Sequence, residues 1–185
     1  MAAGKKSGLN ERALIADIFA PLAADTPGAL NLKDDAAFLV PPIGKDLVIT
    51  TDTIVADVHF SSRDPAEAIA AKALRVNLSD LAAKGAEPLG YTLSLALNED
   101  CTYEWVRKFA SGLQRDQLTY GVSLYGGDTV KNPGPLSVSI TAFGTVKTAA
   151  MVQRAGAQAG DFVYVSGTIG DSVFGLGVAR GQYGG

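Results

Sequence analysis

Hydrophobic residues follow two different periods along this chain, and the two periods alternate. Between Leu14 and Leu22 they recur at helical spacing behind a capping Asn10, which predicts an amphipathic helix. Between Leu93 and Leu97 every second residue is leucine, which predicts a strand with one buried face. Because both patterns recur in turn, we expect an α+β or mixed α/β fold in which a mixed sheet is flanked by helices.

Capping and turn residues set the bounds of the other predicted elements. Pro65 can open a long alanine-rich helix that Gly85 closes, and Thr102 can cap another helix that ends at Gly121. The predicted order is helix, two strands, helix, strand, helix and two strands. The strands are predicted at Ala36–Val40 and Leu47–Thr53, which we expect to pair with each other, at Leu93–Leu97, at Val122–Tyr125 and from Leu136 toward Val146.

A segment of small residues at Lys147–Gly160 interrupts this pattern. We therefore predict a boundary that divides the chain into residues 1–148 and residues 149–185. The second part contains a predicted strand at Phe162–Val165, a glycine-rich turn and the start of a helix at Ser172. It is too short to bury a core of its own, so we interpret it as the start of a truncated second α/β domain.

Composition limits which partners the protein can bind and which cellular compartment suits it. The 16 basic residues against 19 acidic ones leave a formal net charge of -3, which argues against nucleic-acid binding. Cys101 is the only cysteine, so neither an internal disulfide nor a thiolate metal cluster can form. No apolar run has the length of a signal peptide or a membrane span, and we expect a soluble cytoplasmic protein without membrane partners.

Four short segments place aspartates beside predicted strands or within a predicted helix. Alone, each has a common structural explanation: a turn rich in threonine, a helix cap, a glycine turn or a solvated loop. Together they would bring like charges to one region, and like charges repel unless cations neutralise them. Hydroxyl and carboxylate oxygens are the ligands that Mg²⁺ prefers, so the pattern favours bound magnesium over acid–base catalysis. The segments are Lys33–Ala36, Thr50–Thr53, Asn77–Asp80 and Gly126–Thr129.

Individual residues in or near these segments carry further expectations. Gly126 and Gly127 would let a phosphate approach the backbone closely, with amide groups free to donate. Asp80 interrupts an apolar helix surface, and a buried aspartate would need a cation or a hydrogen-bond network. His59 is the only histidine; a lone histidine is more often structural, but its imidazole can donate to a phosphate.

Several standard motifs are absent from the sequence. There is no G-x-x-x-x-G-K-[ST] phosphate loop, and the stretch Gly175–Gly181 misses the G-x-G-x-x-G spacing by one residue. There is no serine-elbow pattern, and one histidine leaves little room for a multi-histidine zinc site. Nucleotide binding, if present, must therefore use other residues.

Taken in order, the aspartate segments resemble the thiamine-monophosphate kinases. These enzymes form a branch of the superfamily that includes aminoimidazole ribonucleotide synthetase, selenophosphate synthetase and the hydrogenase-maturation carbamoyl dehydratase. The stretch Thr51–Val55 leading to His59 is similar to the thiamine branch rather than to the glycine-rich purine branch. The resemblance covers nearly the whole chain and rests on Lys33–Ala37, Thr50–Thr53, His59–Phe60, Lys72–Ala83, Gly126–Thr129 and Val165–Ser172.

The resemblance implies the fold of the amino-terminal domain of that superfamily and a homodimer in which two sheets join into a barrel. It also implies transfer of the γ-phosphoryl group of ATP to thiamine monophosphate, which gives thiamine diphosphate and ADP with the help of several magnesium ions. The acceptor brings its own oxygen nucleophile, so we name no catalytic base. The implied magnesium ligands are Asp34, Thr50, Thr51, Asp52, Asp80 and Asp128; the implied nucleotide contacts are Gly127, Asp128 and Arg154; and His59 would contact the thiamine phosphate.

Two other functions stay open at this point. Because family members carry a complete second domain, the chain could be a dimerisation and magnesium–nucleotide-binding module without turnover. It could also be another ATP-using member of the superfamily. Binding without turnover would identify the first alternative, and ATP use that ignores thiamine monophosphate would identify the second.

Overall fold

The structure, a computed structural model, describes residues 9–183 of the 185-residue chain. The chain forms two compact units that divide between Val152 and Gln153. The first unit carries the sheet, and the second carries one helix. The sequence places its boundary after residue 148, and the division of the protein into domains there stays a prediction.

A helical segment opens the described part of the first unit. It starts as α1 (Glu11–Leu14), continues as a π-helical turn at Ile15–Phe19 and tightens into a 3-10 turn at Ala20–Ala23. The Asn10 side chain accepts two backbone N–H bonds of the first turn at 3.0 and 3.4 Å, which satisfies donors that a helix start leaves free. The predicted cap is confirmed, and most of the predicted apolar face is buried.

One mixed sheet of four strands forms the centre of this unit. The strands are β1 (Lys45–Val55), β2 (Glu87–Leu97), β3 (Ser123–Lys131) and β4 (Ser137–Lys147). Their order in the sheet is β1-β4-β2-β3. β4 is antiparallel to both of its neighbours, whereas β2 and β3 run parallel. The predicted fold class is confirmed.

Two long helices accompany the sheet, and both begin and end near the residues predicted for them. They are α2 (Ala66–Ala83) and α3 (Tyr103–Tyr120). Thr102 Oγ1 accepts the N–H of Trp105 at 3.1 Å, and Gly121 ends α3 with a left-handed φ of 66°. Local capping chemistry therefore fixes the bounds of α3.

An ion pair joins the two helices. Arg75 of α2 donates from Nε and Nη2 to the two carboxylate oxygens of Asp116 of α3, at 2.8 and 2.7 Å. The Asp116 side chain is 1% exposed, whereas that of Arg75 is 54% exposed. The hydrogen bond to Asp116 raises the pKa of Arg75, because it stabilises the charged guanidinium.

The sheet has one face against α2 and an opposite face that the described residues leave largely open. Along β4, Val138, Ile140 and Ala142 are buried in the core, whereas Ser139 and Thr141 between them point the other way. On this open face Thr141 donates to Thr51 Oγ1 at 3.0 Å, and Ile49 of β1 is 63% exposed. We call this surface the open sheet face; it carries Leu47, Ile49, Thr51, Thr53, Ser139, Thr141 and Phe143.

The predicted strand at Ala36–Val40 is wrong, and so is its predicted pairing with the following strand. β1 pairs with β4 instead. Within residues 9–183 only one backbone bond anchors the segment, from the Phe38 N–H to the Gly28 carbonyl at 3.0 Å, and Phe38 and Val40 are 55% and 78% exposed. The prolines that follow lack N–H donors, and a strand needs a neighbour whose distance in sequence no local pattern reveals.

The second unit contains α4 (Asp171–Ala179). The predicted helix near Ser172 is therefore confirmed, but the predicted strand at Phe162–Val165 is wrong. This segment has no strand partner among residues 153–183, and its four side chains are 60% to 92% exposed. Nowhere in residues 9–183 does a helix combine the length and apolar character needed to cross a membrane.

Candidate functional site

A cavity of about 470 Å³ lies between the helical segment at the start of the unit and the edge strand β3. One part of its wall is apolar and comes from buried or half-buried side chains of the core. The other part is polar and contains aspartates of two predicted segments. The apolar wall includes Ile15, Phe19, Ala29, Leu32, Leu93 and Leu124, and the polar wall includes Glu11, Asp34, Asp35, Thr92, Asp128 and Thr129. Such a combination is typical of small-molecule sites.

Within residues 9–183, the charged residues that line this cavity all have the same sign. Glu11, Asp34, Asp35 and Asp128 contribute carboxylates, and no lysine or arginine of that range lines the cavity. A phosphate ligand would be repelled from such a wall unless cations accompanied it. The cavity therefore suits either a cationic group or a phosphate that arrives with divalent metal.

The donor chemistry of this wall fits Mg²⁺, which prefers carboxylate oxygens. Within residues 9–183, however, no group of three or more histidine, cysteine, aspartate or glutamate side chains is assembled closely enough to hold a metal ion. Mg²⁺ commonly uses one or two carboxylates together with substrate phosphates and water. A pair of carboxylates such as Asp34 and Asp128 would therefore suffice as the protein's share.

The chain reaches Asp34 through an uncommon left-handed turn. Leu30, Asn31 and Leu32 have φ values of 51°, 56° and 55°, although only glycine and, to a lesser extent, asparagine tolerate this region well. Leu32 packs against the core at the end of the turn. Asp34 Oδ1 then accepts the backbone N–H of Asp35 at 2.8 Å, which orients the Asp34 carboxylate at the cavity.

The glycine–glycine–aspartate segment lies within a strand rather than in a loop, which corrects the sequence-based prediction. Gly126, Gly127 and Asp128 belong to β3 and pair in parallel with Thr92, Leu93 and Ser94, just after a β-bulge. A Cβ on Gly127 would overlap the Leu93 carbonyl, whereas a Cβ on Gly126 would meet open space. The absence of a side chain at Gly127 therefore serves the approach of two strands.

Thr50, Thr51 and Asp52 also lie inside a strand and not at its end as predicted. Because side chains alternate along β1, Thr50 and Asp52 share the helix side and Thr51 lies on the open sheet face. Thr50 donates to Asp80 Oδ2 of α2 at 3.0 Å. Thr51 donates to the Ile140 carbonyl at 3.2 Å and accepts from Thr141. Thr50 and Thr51 therefore cannot hold the same ion through their hydroxyl groups.

The buried polar residue of this part of α2 is Asn77 and not Asp80. Asp80 is exposed, and its bond with Thr50 is the network that it needs. Asn77, one helical turn earlier, is fully buried; its Nδ2 donates to the Ala73 carbonyl at 3.0 Å, and its Oδ1 has no partner in the described residues. The demand for a partner therefore falls on a neutral amide, which costs less than a buried carboxylate.

His59 lies on the turn between β1 and α2, where its ring is exposed. Its Nδ1 accepts the N–H of Val55 at 3.1 Å. On the same turn Asp57 Oδ1 accepts the N–H of Ser62 at 2.9 Å, and hydrogen bonds from Ser62 lower the pKa of Asp57. The turn is therefore held by its own polar groups, with the imidazole on its surface.

Arg154, expected to contact the nucleotide, lies in the second unit and is exposed. Other cavity residues were missed by the sequence analysis. Glu11 looks like an ordinary acidic residue of a first helical turn, and Ile15 like one member of an apolar helix face. Tyr125, whose pKa is raised by its partial burial, gave no signal of its own.

Residues 33–146 match the family model of AIR synthase related proteins, N-terminal domain. This range covers more than half of the chain, and it includes β1 to β3, β4 as far as Val146, α2, α3 and the aspartates that line the cavity.

Several curated relatives are thiamine-monophosphate kinases by name. The chain is 47% identical over 162 residues to the thiamine-monophosphate kinase of Caulobacter vibrioides and 44% identical over 154 residues to that of Escherichia coli strain K12. These alignments cover 88% and 83% of the chain and 46% of each relative. The chain therefore spans about half the length of the curated relatives that it matches.

Solved structures agree with the family match. The thiamine-monophosphate kinase of Stenotrophomonas maltophilia superposes with a TM-score of 0.80 at 40% identity, covering 94% of this chain and 54% of that one. The structure of AaThiL complexed with AMPPCP and TMP superposes with a TM-score of 0.71 at 32% identity, covering 94% and 51%. The described fold is thus one that other proteins of this kind adopt.

Proposed function

The chain belongs to the family of AIR synthase related proteins, and from this premise we propose that the protein is a thiamine-monophosphate kinase. It transfers the γ-phosphoryl group of ATP to thiamine monophosphate. A phosphate oxygen of the acceptor forms a bond to the γ-phosphorus while the bond to the β,γ-bridging oxygen breaks, so that thiamine diphosphate and ADP are the products. The names of the curated relatives, at up to 47% identity, support this reaction.

The observation that carries the proposal is the cavity between the helical segment and β3. Among the residues that the structure describes, its lining has four carboxylates and no basic residue, beside an apolar wall. Both substrates of the reaction bring phosphate groups, which this wall would repel by itself. Asp34 and Asp128 of this lining would hold magnesium ions, which neutralise the phosphates and align them for transfer. Asp52 and Asp80 do not line the cavity, and their role as further magnesium ligands rests on the family resemblance alone.

The remaining assigned residues have distinct tasks in this proposal. Thr50 orients Asp80 through its hydrogen bond. On β3, Gly127 presents its backbone and Asp128 its carboxylate to the nucleotide phosphates. Arg154 of the second unit also contacts the nucleotide. Thr51 would act from the open sheet face. The reaction needs no protein base, because the acceptor phosphate is already an oxygen nucleophile.

We further propose that two copies of the chain pair through the open sheet face and that the protein works in the cytoplasm. A dimer would cover Ile49, which is 63% exposed, together with the row of hydroxyl groups beside it. ATP is available in the cytoplasm, and the unpaired Cys101 thiol suits its reducing conditions.

Calorimetry with an exchange of one cavity carboxylate tests the site. In Asp128→Asn, which removes one negative charge, we expect the magnesium-dependent affinity for a non-hydrolysable ATP analogue to fall at least roughly tenfold, a typical loss for a disturbed metal partner. Asp25→Asn is the matched control, because Asp25 is exposed and does not line the cavity. Equal affinities in the two variants would contradict the assignment of Asp128.

A kinase assay tests the reaction itself. The purified protein should form thiamine diphosphate and ADP in equal amounts when ATP, Mg²⁺ and thiamine monophosphate are all present. ATP consumption that does not depend on thiamine monophosphate would instead indicate another ATP-using member of the family. Ligand binding without any product would indicate a binding module.

A further inference from the structure

The turn between β1 and α2, residues 56–64, is tightly hydrogen-bonded. The Asp57 N–H donates to the Phe60 carbonyl at 2.7 Å, and the Ser61 N–H donates to Asp64 Oδ2 at 2.9 Å. Asp57 itself has a φ of 60°, a conformation that aspartate accepts more readily than most residues. We call this segment the His59 turn. Its backbone has little freedom to move the ring it carries.

Three contacts from outside the turn hold His59. On one side the N–H of Val55, the last residue of β1, donates to the ring at Nδ1, and the His59 N–H donates to the Val55 carbonyl at 2.9 Å. On the other side the Lys72 ammonium of α2 donates to the His59 backbone carbonyl. One residue is thus fixed both to the strand that precedes it and to the helix that follows it.

The contact with Val55 decides which ring nitrogen carries the proton. A nitrogen that accepts an N–H bond has a free lone pair and no hydrogen, so in the neutral ring the hydrogen must be on Nε2. Because the imidazole is exposed, this Nε2–H is available to an oxygen from solution. The ring therefore presents Nε2 as its donor side.

Lys72 holds the backbone of the His59 turn and forms no ion pair with a carboxylate of the described residues. It differs in this from Lys45, Arg75 and Arg107. The partner of Lys72 on this turn is a neutral carbonyl, so the contact fixes where the turn lies against α2.

We propose that Lys72 is a positioning residue, which holds the His59 turn against α2 so that Nε2–H of His59 is fixed as the donor to a phosphate oxygen of the acceptor substrate. The identity of that phosphate rests on the proposed function. The clamp that joins Lys72, His59 and Val55 does not, and it can be tested without any ligand.

The first test is NMR spectroscopy of the ligand-free protein, in which the only histidine of the sequence gives a single, unambiguous ring signal. In Lys72→Met we expect the His59 ring resonances to shift and the Val55 amide to exchange with solvent at least about ten times faster, because both groups lose their fixed partner. Lys72→Arg should restore both signals, since a guanidinium can donate to the same carbonyl.

Lys108→Met is the matched control, because Lys108 is an exposed lysine of the other helix, α3. It should leave the His59 ring and the Val55 amide unchanged. If Lys72→Met also left both signals at their wild-type values, the clamp would be disproved, whatever the protein's activity.

The second test asks whether Lys72 acts through His59. We expect Lys72→Met and His59→Ala each to raise the KM for thiamine monophosphate about tenfold with little change in kcat, and the double variant to raise it no further, because both changes remove one interaction. Lys72→Arg should recover most of the loss. Additive losses would mean that Lys72 contacts the substrate independently and would overturn its role as a positioning residue.

The two tests separate failure of this inference from failure of the proposed function. A wild-type protein that ignores thiamine monophosphate would contradict the kinase proposal and the acceptor role of His59, while the NMR result would still decide the clamp. A clamp lost in Lys72→Met without any change in KM would show that the fixed donor does not serve the acceptor.

Discussion

Gly127 lies inside β3 with the Leu93 carbonyl of β2 where a Cβ would be. A Cβ atom on the neighbouring Gly126 would meet open space instead. Two glycines that look equivalent in sequence therefore carry different constraints. One is required by the approach of two strands, and the other leaves room for a side chain.

We expect Gly127→Ala to lower the free energy of unfolding by roughly 2 kcal/mol, because the methyl group must displace backbone that cannot rotate away. Gly126→Ala should change it by less than about 0.5 kcal/mol. Urea denaturation of the two variants measures the difference. If Gly127→Ala kept wild-type stability and lost only nucleotide affinity, close approach of a phosphate would be the reason for this glycine.

Among the elements, α2 and α3 are joined by the bidentate pair between Arg75 and Asp116. Removing the arginine leaves the Asp116 carboxylate, which is 1% exposed, without its partner. We expect Arg75→Met to lower the free energy of unfolding by roughly 2 kcal/mol. This value lies below that for a fully buried pair, because more than half of the Arg75 side chain is in contact with water.

The double variant Arg75→Met with Asp116→Leu should recover much of that loss, since no charge then remains buried without a partner. Thermal or urea unfolding of the two single variants and the double variant gives the coupling free energy. Strictly additive losses would show that the pair contributes little beyond packing.

Elements with local signals were predictable, and elements that depend on distant partners were not. Helix ends are marked by residues that bond to positions only a few residues away, as Asn10, Thr102 and Gly121 do. The segments at Ala36–Val40 and Phe162–Val165 have apolar side chains typical of strands but no neighbour to pair with among the described residues. β-propensity describes fit to a sheet and does not create one.

The candidate site divides in the same way. Asp34 and Asp128 could be selected from sequence because aspartates beside glycines or strands are conspicuous, and both line the cavity. Glu11 and Ile15 could not, because the sequence shows them as members of a helix and not as neighbours of β3. Their place in the wall is a consequence of tertiary packing.

For the whole molecule, the open sheet face sets the expected state of association. We expect the protein to be a dimer and Ile49→Lys to convert it largely to monomer, because the lysine would place a charge in a covered apolar position. Leu118→Lys is the matched control: Leu118 is 84% exposed but lies on α3. Light scattering after gel filtration measures both. A monomeric wild type, or a dimer that survives Ile49→Lys, would contradict pairing through this face.

The strand order also has a consequence for how the protein is made. β1 lies at one edge of the sheet and bonds only to β4, the last strand of the unit. A ribosome adds about 5–20 residues per second, so β1 waits roughly 5–20 seconds for its partner after it leaves the exit tunnel. During that interval its two faces and both edges are open to the cell. Nascent β1 is therefore the part of this chain for which a chaperone at the ribosome would matter most.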